Sequence, residues 1–161
     1  MAEREAAAGA SRDKDRRKRT LGWKEWVSLP DLGIPVIKAK MDTGARTSAL
    51  HACSIETFER EGIDMVRFGV HPFQKRTDCT VICEAPVLAR RRFRNSGGQH
   101  ENRYVIRTTL SLGGVDSKIE ISLTDREPML FRMIMGRTAL AGEYTVDPIR
   151  SYVFSKKKEN A

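Results

Sequence analysis

Ile37-Lys38-Ala39-Lys40-Met41-Asp42-Thr43-Gly44-Ala45-Arg46-Thr47-Ser48-Ala49-Leu50 carries an extended run into a turn and out again. Ile34–Met41 reads as a β-strand, so Asp42 stands at a strand end. Gly44 can take backbone angles closed to residues with a Cβ, which lets a backbone N–H point back at the Asp42 carboxylate, and the small Ala45 follows. Asp, Thr and Gly are also common turn residues, so the triplet alone is more often an ordinary loop than a reactive one.

A second stretch lies far downstream at Phe131-Arg132-Met133-Ile134-Met135-Gly136-Arg137-Thr138-Ala139-Leu140, where an apolar strand runs into Gly-Arg and then a short helix. With His51, Ser96-Gly97-Gly98, Arg103-Tyr104-Val105-Ile106 and Val146-Asp147-Pro148, these blocks resemble one bacterial family over residues 21–154. That family comprises retropepsin-like aspartic endopeptidases, often labelled ATP-dependent zinc proteases. The Asp-Thr-Gly-Ala and Met-Gly-Arg blocks are its specific parts.

The resemblance implies an all-β fold, a closed retropepsin-like (acid protease) β-barrel with one short C-terminal helix. It also implies that Asp42, Thr43 and Gly44 are the catalytic turn. Aspartic peptidases need two carboxylates sharing one proton, since like charges this close cannot both ionise. This chain has a single Asp-Thr-Gly, so an isologous homodimer would supply Asp42 twice, with Thr43 hydrogen-bonding across the axis. A same-chain partner, Asp125 or Asp147, is the competing possibility. A Ser at position 45 would give the charged carboxylate another donor, and Ala45 does not, so we expect a working pH near neutrality. Members of the family are associated with a ligase that adds glutamates to a ribosomal protein, which implies an acidic polypeptide substrate and ribosome association.

Residue types fill in the cleft. Ala45, Arg46, Ser48, His51, Gly97, Gly98 and Arg103 are the candidate substrate-binding residues: small side chains leave room, guanidinium forks grip carboxylates. Arg90, Arg91, Arg92, Arg94 and Arg107 add positive charge, although a generally solvated basic surface would look the same. No His-Glu-x-x-His and no Walker-type loop occurs, so the sequence offers no cofactor, metal or nucleotide site. The reading from a different class is a non-catalytic dimeric module docking on RNA or the ribosome.

The 161 residues carry a net charge of +8, a balance that attracts polyanions. Cys53, Cys79 and Cys83 offer no secreted disulfide framework, and no run has membrane-spanning length, so we expect a cytoplasmic protein that binds no membrane. Residues 1–20, with Arg16-Arg17-Lys18-Arg19, read as a disordered basic arm, either a tether or a solubilising tail. Residues 21–154 read as the peptidase domain and 155–161 as a basic tail.

Within the domain, Lys24–Leu29 and Ile34–Met41 read as a hairpin turning at Pro30-Asp31-Leu32-Gly33. Strands follow at 47–53, 65–71 and 80–88, with Pro86 marking an edge. Residues 89–100 read as an Arg-rich loop, either a peptidase flap or plain exposed loop. Gly113-Gly114 should join two long strands. A strand over 129–135, a helix over 138–142, and final strands near 144–148 and 151–154 complete the pattern.

Overall fold

The computed structural model describes residues 18–73, 80–95, 97–125 and 131–155. Among them the fold is all-β with one short α-helix. The strands are β1 (Arg19–Gly22), β2 (Lys24–Leu29), β3 (Ile34–Met41), β4 (Ser48–His51), β5 (Cys53–Arg60) and β6 (Ile63–Val70) in the first half. β7 (Val81–Pro86), β8 (Ala89–Arg94), β9 (His100–Leu112), β10 (Val115–Thr124), β11 (Met133–Met135), α1 (Arg137–Leu140) and β12 (Tyr144–Asp147) follow.

The main sheet has the order β10-β4-β11-β3-β2-β9-β8, and β9 pairs with β10 as well. Two turns set its register. Pro30–Leu32 forms a 3-10 turn ended by Gly33 at φ 70°, and Asp31 on that turn accepts from Thr109 and Lys118, tying it to the β9–β10 hairpin. Gly113 and Gly114, with φ of 58° and 81°, make the two-residue β9–β10 turn whose twist matches the strands it joins. A three-stranded sheet, β5-β6-β7, adds Val66, Phe68, Val70 and Cys83 to the same core as Ile37, Leu50, Leu110 and Met133. Burial pushes the Cys83 thiol up to about 11, and it donates to Leu32 O, so it is a packing group and no nucleophile. Pro86 ends β7 at the edge of its sheet, where its missing N–H costs no ladder bond.

Three expectations need correction. Residues 89–94 are strand β8, not loop: Arg90 lies over the Tyr104 ring and Arg91 pairs with Glu120 at 2.9 Å, so the charges decorate an edge strand. Arg19 and Thr20, assigned to the arm, belong to β1, which runs parallel to Tyr144 and Thr145 of β12. Residues 151–154 form no strand, and Ser155, expected to open the tail, is part of the packed body. The rest of the arm (1–17), Cys79, Ser96, residues 126–130 and the tail from 156 lie outside the described residues.

Glu25 explains that last correction. Its side chain is fully buried and accepts from Gly22 N (3.1 Å), Phe154 N (2.8 Å), Ser155 N (3.2 Å) and Ser155 Oγ (2.7 Å). Ser155 Oγ in turn accepts from Trp26 N at 2.7 Å, so one carboxylate fastens the C-terminal segment across β2. Glu25→Leu strands these donors and should lower unfolding free energy by about 3 kcal/mol, a sum of lost charged hydrogen bonds and orphaned N–H groups. Urea unfolding checks this, and a loss below about 1 kcal/mol would mean the strap is held by packing alone.

Candidate active site

β3 delivers Asp42 into the turn as expected. Its Oδ1 accepts from Gly44 N at 2.9 Å and Ala45 N at 3.2 Å, while its own N–H donates to Met135 O at 2.8 Å. The second signature backs this turn. β11 pairs parallel to Ala39–Met41 and antiparallel to β4, and Gly136 lies against the Arg46–Thr47 backbone. Arg137 N donates to Ala45 O at 2.7 Å, and its Nη1 donates to Thr43 O and Gly44 O, both at 3.1 Å. Arg137 thus holds the carbonyls of the turn while the backbone N–H groups hold the carboxylate. Sequence reasoning placed Arg137 in the signature without a role; only the fold supplies one.

Above the turn is an open cleft of about 1350 Å³. Asp42, Gly44, Ala45 and Arg46 line its floor, with Ala49 and Ile134 behind. The β8–β9 hairpin overhangs it through Arg91, Arg92, Arg94 and Gly97. The hairpin tip is built by Asn95, whose Oδ1 accepts from Gly97 N at 2.8 Å and Gln99 N at 3.1 Å. Gly98 there has φ 81°, a conformation that favours glycine. Arg46, Arg92 and Arg94 form no ion pair among the described residues, so three exposed guanidinium groups leave the cleft strongly cationic.

Several expected binding residues sit elsewhere or are already engaged. Ser48 is fully buried, because β4 is flanked by β10 and β11; its Oγ accepts from Gly136 N at 3.0 Å. His51 is 7% exposed and, like Ser48, Thr43 and Gly98, is not among the cleft-lining residues. Of the small side chains of β4, Ser48 therefore serves packing, while Ala49 lines the cleft. Arg103 lines the cleft but is only 13% exposed, paired with Glu101 and lying over the Phe93 ring. Arg90 and Arg107 are not cleft-lining.

Neither same-chain candidate for a second carboxylate reaches the cleft. Asp147 caps its own turn, accepting from Ile149 N at 2.9 Å, and exposed Asp125 follows β10. The only other acidic residue lining the cleft, among the described residues, is Glu120, which Arg91 neutralises. Cys53 Sγ lies 3.7 Å from His71 Nε2, a proximity their spacing did not suggest, but no third metal-ligating side chain joins them among the described residues. No described helix is long and apolar enough to cross a membrane.

A family model described as the retropepsin-like aspartic endopeptidase RimB matches residues 20–157. Among the curated proteins similar to this chain are several named "Probable alpha-L-glutamate ligase". The one from Parasynechococcus marenigrum is 46% identical over 84% of this chain and 29% of its own length. That from Desulfotalea psychrophila is 44% identical over 84% and 29%, and that from Shewanella pealeana 42% identical over 87% and 31%. The chain spans less than a third of these relatives. A crystal structure of a Legionella pneumophila protein of unknown function superposes with a TM-score of 0.70 at 26% identity, covering 84% of this chain and 98% of that one.

Proposed function

The chain belongs to the RimB-like family of retropepsin-like aspartic endopeptidases, and from that premise we propose that its cleft hydrolyses peptide bonds in acidic polypeptides. The observation carrying this reading is the meeting of a strand-end carboxylate, Asp42, with three cleft arginines, Arg46, Arg92 and Arg94, that have no ion-pair partner among the described residues. Two copies pair about a twofold axis so that their Asp42 side chains share a proton. The exposed position of Thr43 at the turn tip, and the lack of an available second carboxylate in the cleft among the described residues, support that arrangement. The ring of pairings β10-β4-β11-β3-β2-β9-β10 supports a closed barrel, in which the turn sits on a rigid wall.

In this mechanism a water lies between the two carboxylates. The ionised one takes its proton as the oxygen attacks the scissile carbonyl carbon, and the protonated one donates to the carbonyl oxygen. The resulting diol collapses as a proton passes to the leaving nitrogen, with no covalent enzyme intermediate. Relatives named for glutamate ligation support glutamate-rich tails, including those on a ribosomal protein, as substrate. Arg46→Glu tests the substrate class, because Arg46 lines the cleft and pairs with no described carboxylate. Reversal at Arg103 would instead set Glu101 against a like charge. Arg46→Glu should cut cleavage of a glutamate-rich peptide at least about tenfold more than that of a serine-rich one, and the difference should shrink in high salt. Equal loss on both peptides would reject an acidic substrate.

A further inference from the structure

Apart from the exposed arginines, the molecule contains a buried cation with no answering charge among the described residues. Arg132 is 4% exposed, its Nε has no hydrogen-bond partner, and none of the described ion pairs includes it. An isolated buried guanidinium is costly unless something anionic meets it.

Strand register locates it. β11 and β4 are antiparallel with Ile134 opposite Ala49, and both side chains line the cleft. His51 N donates to Arg132 O at 2.8 Å, continuing that ladder. Arg132 and His51 therefore lie two residues further along on the same side of the sheet. On the other flank of β4, the parallel strand β10 sets Thr124 beside His51, and Thr124 lines the cleft too. Three buried polar residues, His51, Thr124 and Arg132, thus extend the row begun by Ala49 and Ile134; of the three only Thr124 lines the cleft, and its Oγ1 donates to Glu101 Oε1 at 3.3 Å.

We infer that Arg132 is a specificity-determining residue, its guanidinium receiving a substrate side-chain carboxylate in a subsite beside Thr124. This rests on reading the cleft as one for acidic peptides, and it adds a division of labour. Exposed Arg46, Arg92 and Arg94 attract any polyanion through a field that salt screens. A buried, unanswered guanidinium discriminates instead, because a neutral isostere such as glutamine leaves its charge unmet.

The test reads binding without turnover. In an Asp42→Asn background, calorimetric titration compares a tetraglutamate peptide with its tetraglutamine counterpart. Arg132→Met should lower tetraglutamate affinity at least about thirtyfold while tetraglutamine affinity stays within about threefold. Arg132→Lys keeps the charge without the fork and should recover part of the loss. Arg132→Met should also melt no lower than its parent, since it replaces an unpaired buried charge by an apolar chain. Unchanged tetraglutamate affinity, equal loss on both peptides, or a lower melting temperature would each overturn the inference. Tetraglutamate bound through Arg132 by a wild-type protein that never cleaves it would overturn the peptidase reading and leave this one standing.

Discussion

An Asp42→Asn protein is expected to fold as the wild type does and to lose peptide hydrolysis by at least about a thousandfold, the scale of a missing general acid and base. The fold survives because an asparagine side chain keeps the oxygen that accepts from Gly44 N and Ala45 N, at 2.9 and 3.2 Å, and the turn is held independently by Arg137. What disappears is the proton site. An amide can neither take a proton from water nor deliver one to a carbonyl oxygen, so a dimer with amides in both turns has no base and no acid. Initial rates on a glutamate-rich peptide, followed by mass spectrometry, measure the loss; a variant retaining a tenth of wild-type activity would remove Asp42 from the chemistry. Mixing the two proteins tests the pairing. If each active unit needs one Asp42 from each chain, an equal mixture at exchange equilibrium keeps about a quarter of the activity, whereas chains acting alone keep about half.

How far the sequence discloses this arrangement depends on the range of the forces involved. Lys24–Leu29 and Ile34–Met41 match their expected bounds because a local turn, Pro30 to Gly33, fixes where each strand stops. The β9–β10 hairpin is legible for the same reason at Gly113-Gly114. Residues 89–94 are misread as loop because the pattern of alternation is hidden under arginines, and the compensating partners, Glu120 and Tyr104, come from other strands. The reverse error occurs at 151–154: Tyr152-Val153-Phe154 has strand-forming side chains, but Tyr152 stacks on Trp26 and the backbone N–H of Phe154 goes to Glu25. The site follows the same rule. Asp42, Gly44 and Arg46 declare themselves through turn chemistry, whereas the burial of Ser48 and His51 depends on two strands from distant parts of the chain. Arg132 does carry a local signal, a lone charge inside Phe131-Arg132-Met133-Ile134-Met135, but the arginine run at 90–92 and 94 is the louder one.

Gly136→Ala should be among the most damaging single-methyl changes at the described glycines, lowering unfolding free energy by about 3 kcal/mol through overpacking. Gly136 adopts φ −90° and ψ 175°, ordinary extended angles, so the requirement for glycine is one of space. An added Cβ would lie 2.6 Å from Thr47 C and 2.9 Å from both Arg46 O and Thr47 O, all backbone atoms that no rotamer change can move aside. Relief requires the β11–α1 junction to back away from the segment after Asp42. That stretches three bonds at once: Gly136 N to Ser48 Oγ, Arg137 N to Ala45 O and Thr138 N to Arg46 O. The Asp42 turn then loses its support, and on the proposed mechanism a shift near 1 Å at the carboxylates would cost about a further hundredfold in rate. Gly62→Ala is the control: φ there is 77° with nothing within 4 Å, so it should show only backbone strain, about 1 kcal/mol, with activity unchanged. Urea unfolding and peptide cleavage measured on both variants separate the cases. If Gly136→Ala matched the control in stability and rate, β11 and α1 would not be what holds the Asp42 turn in place.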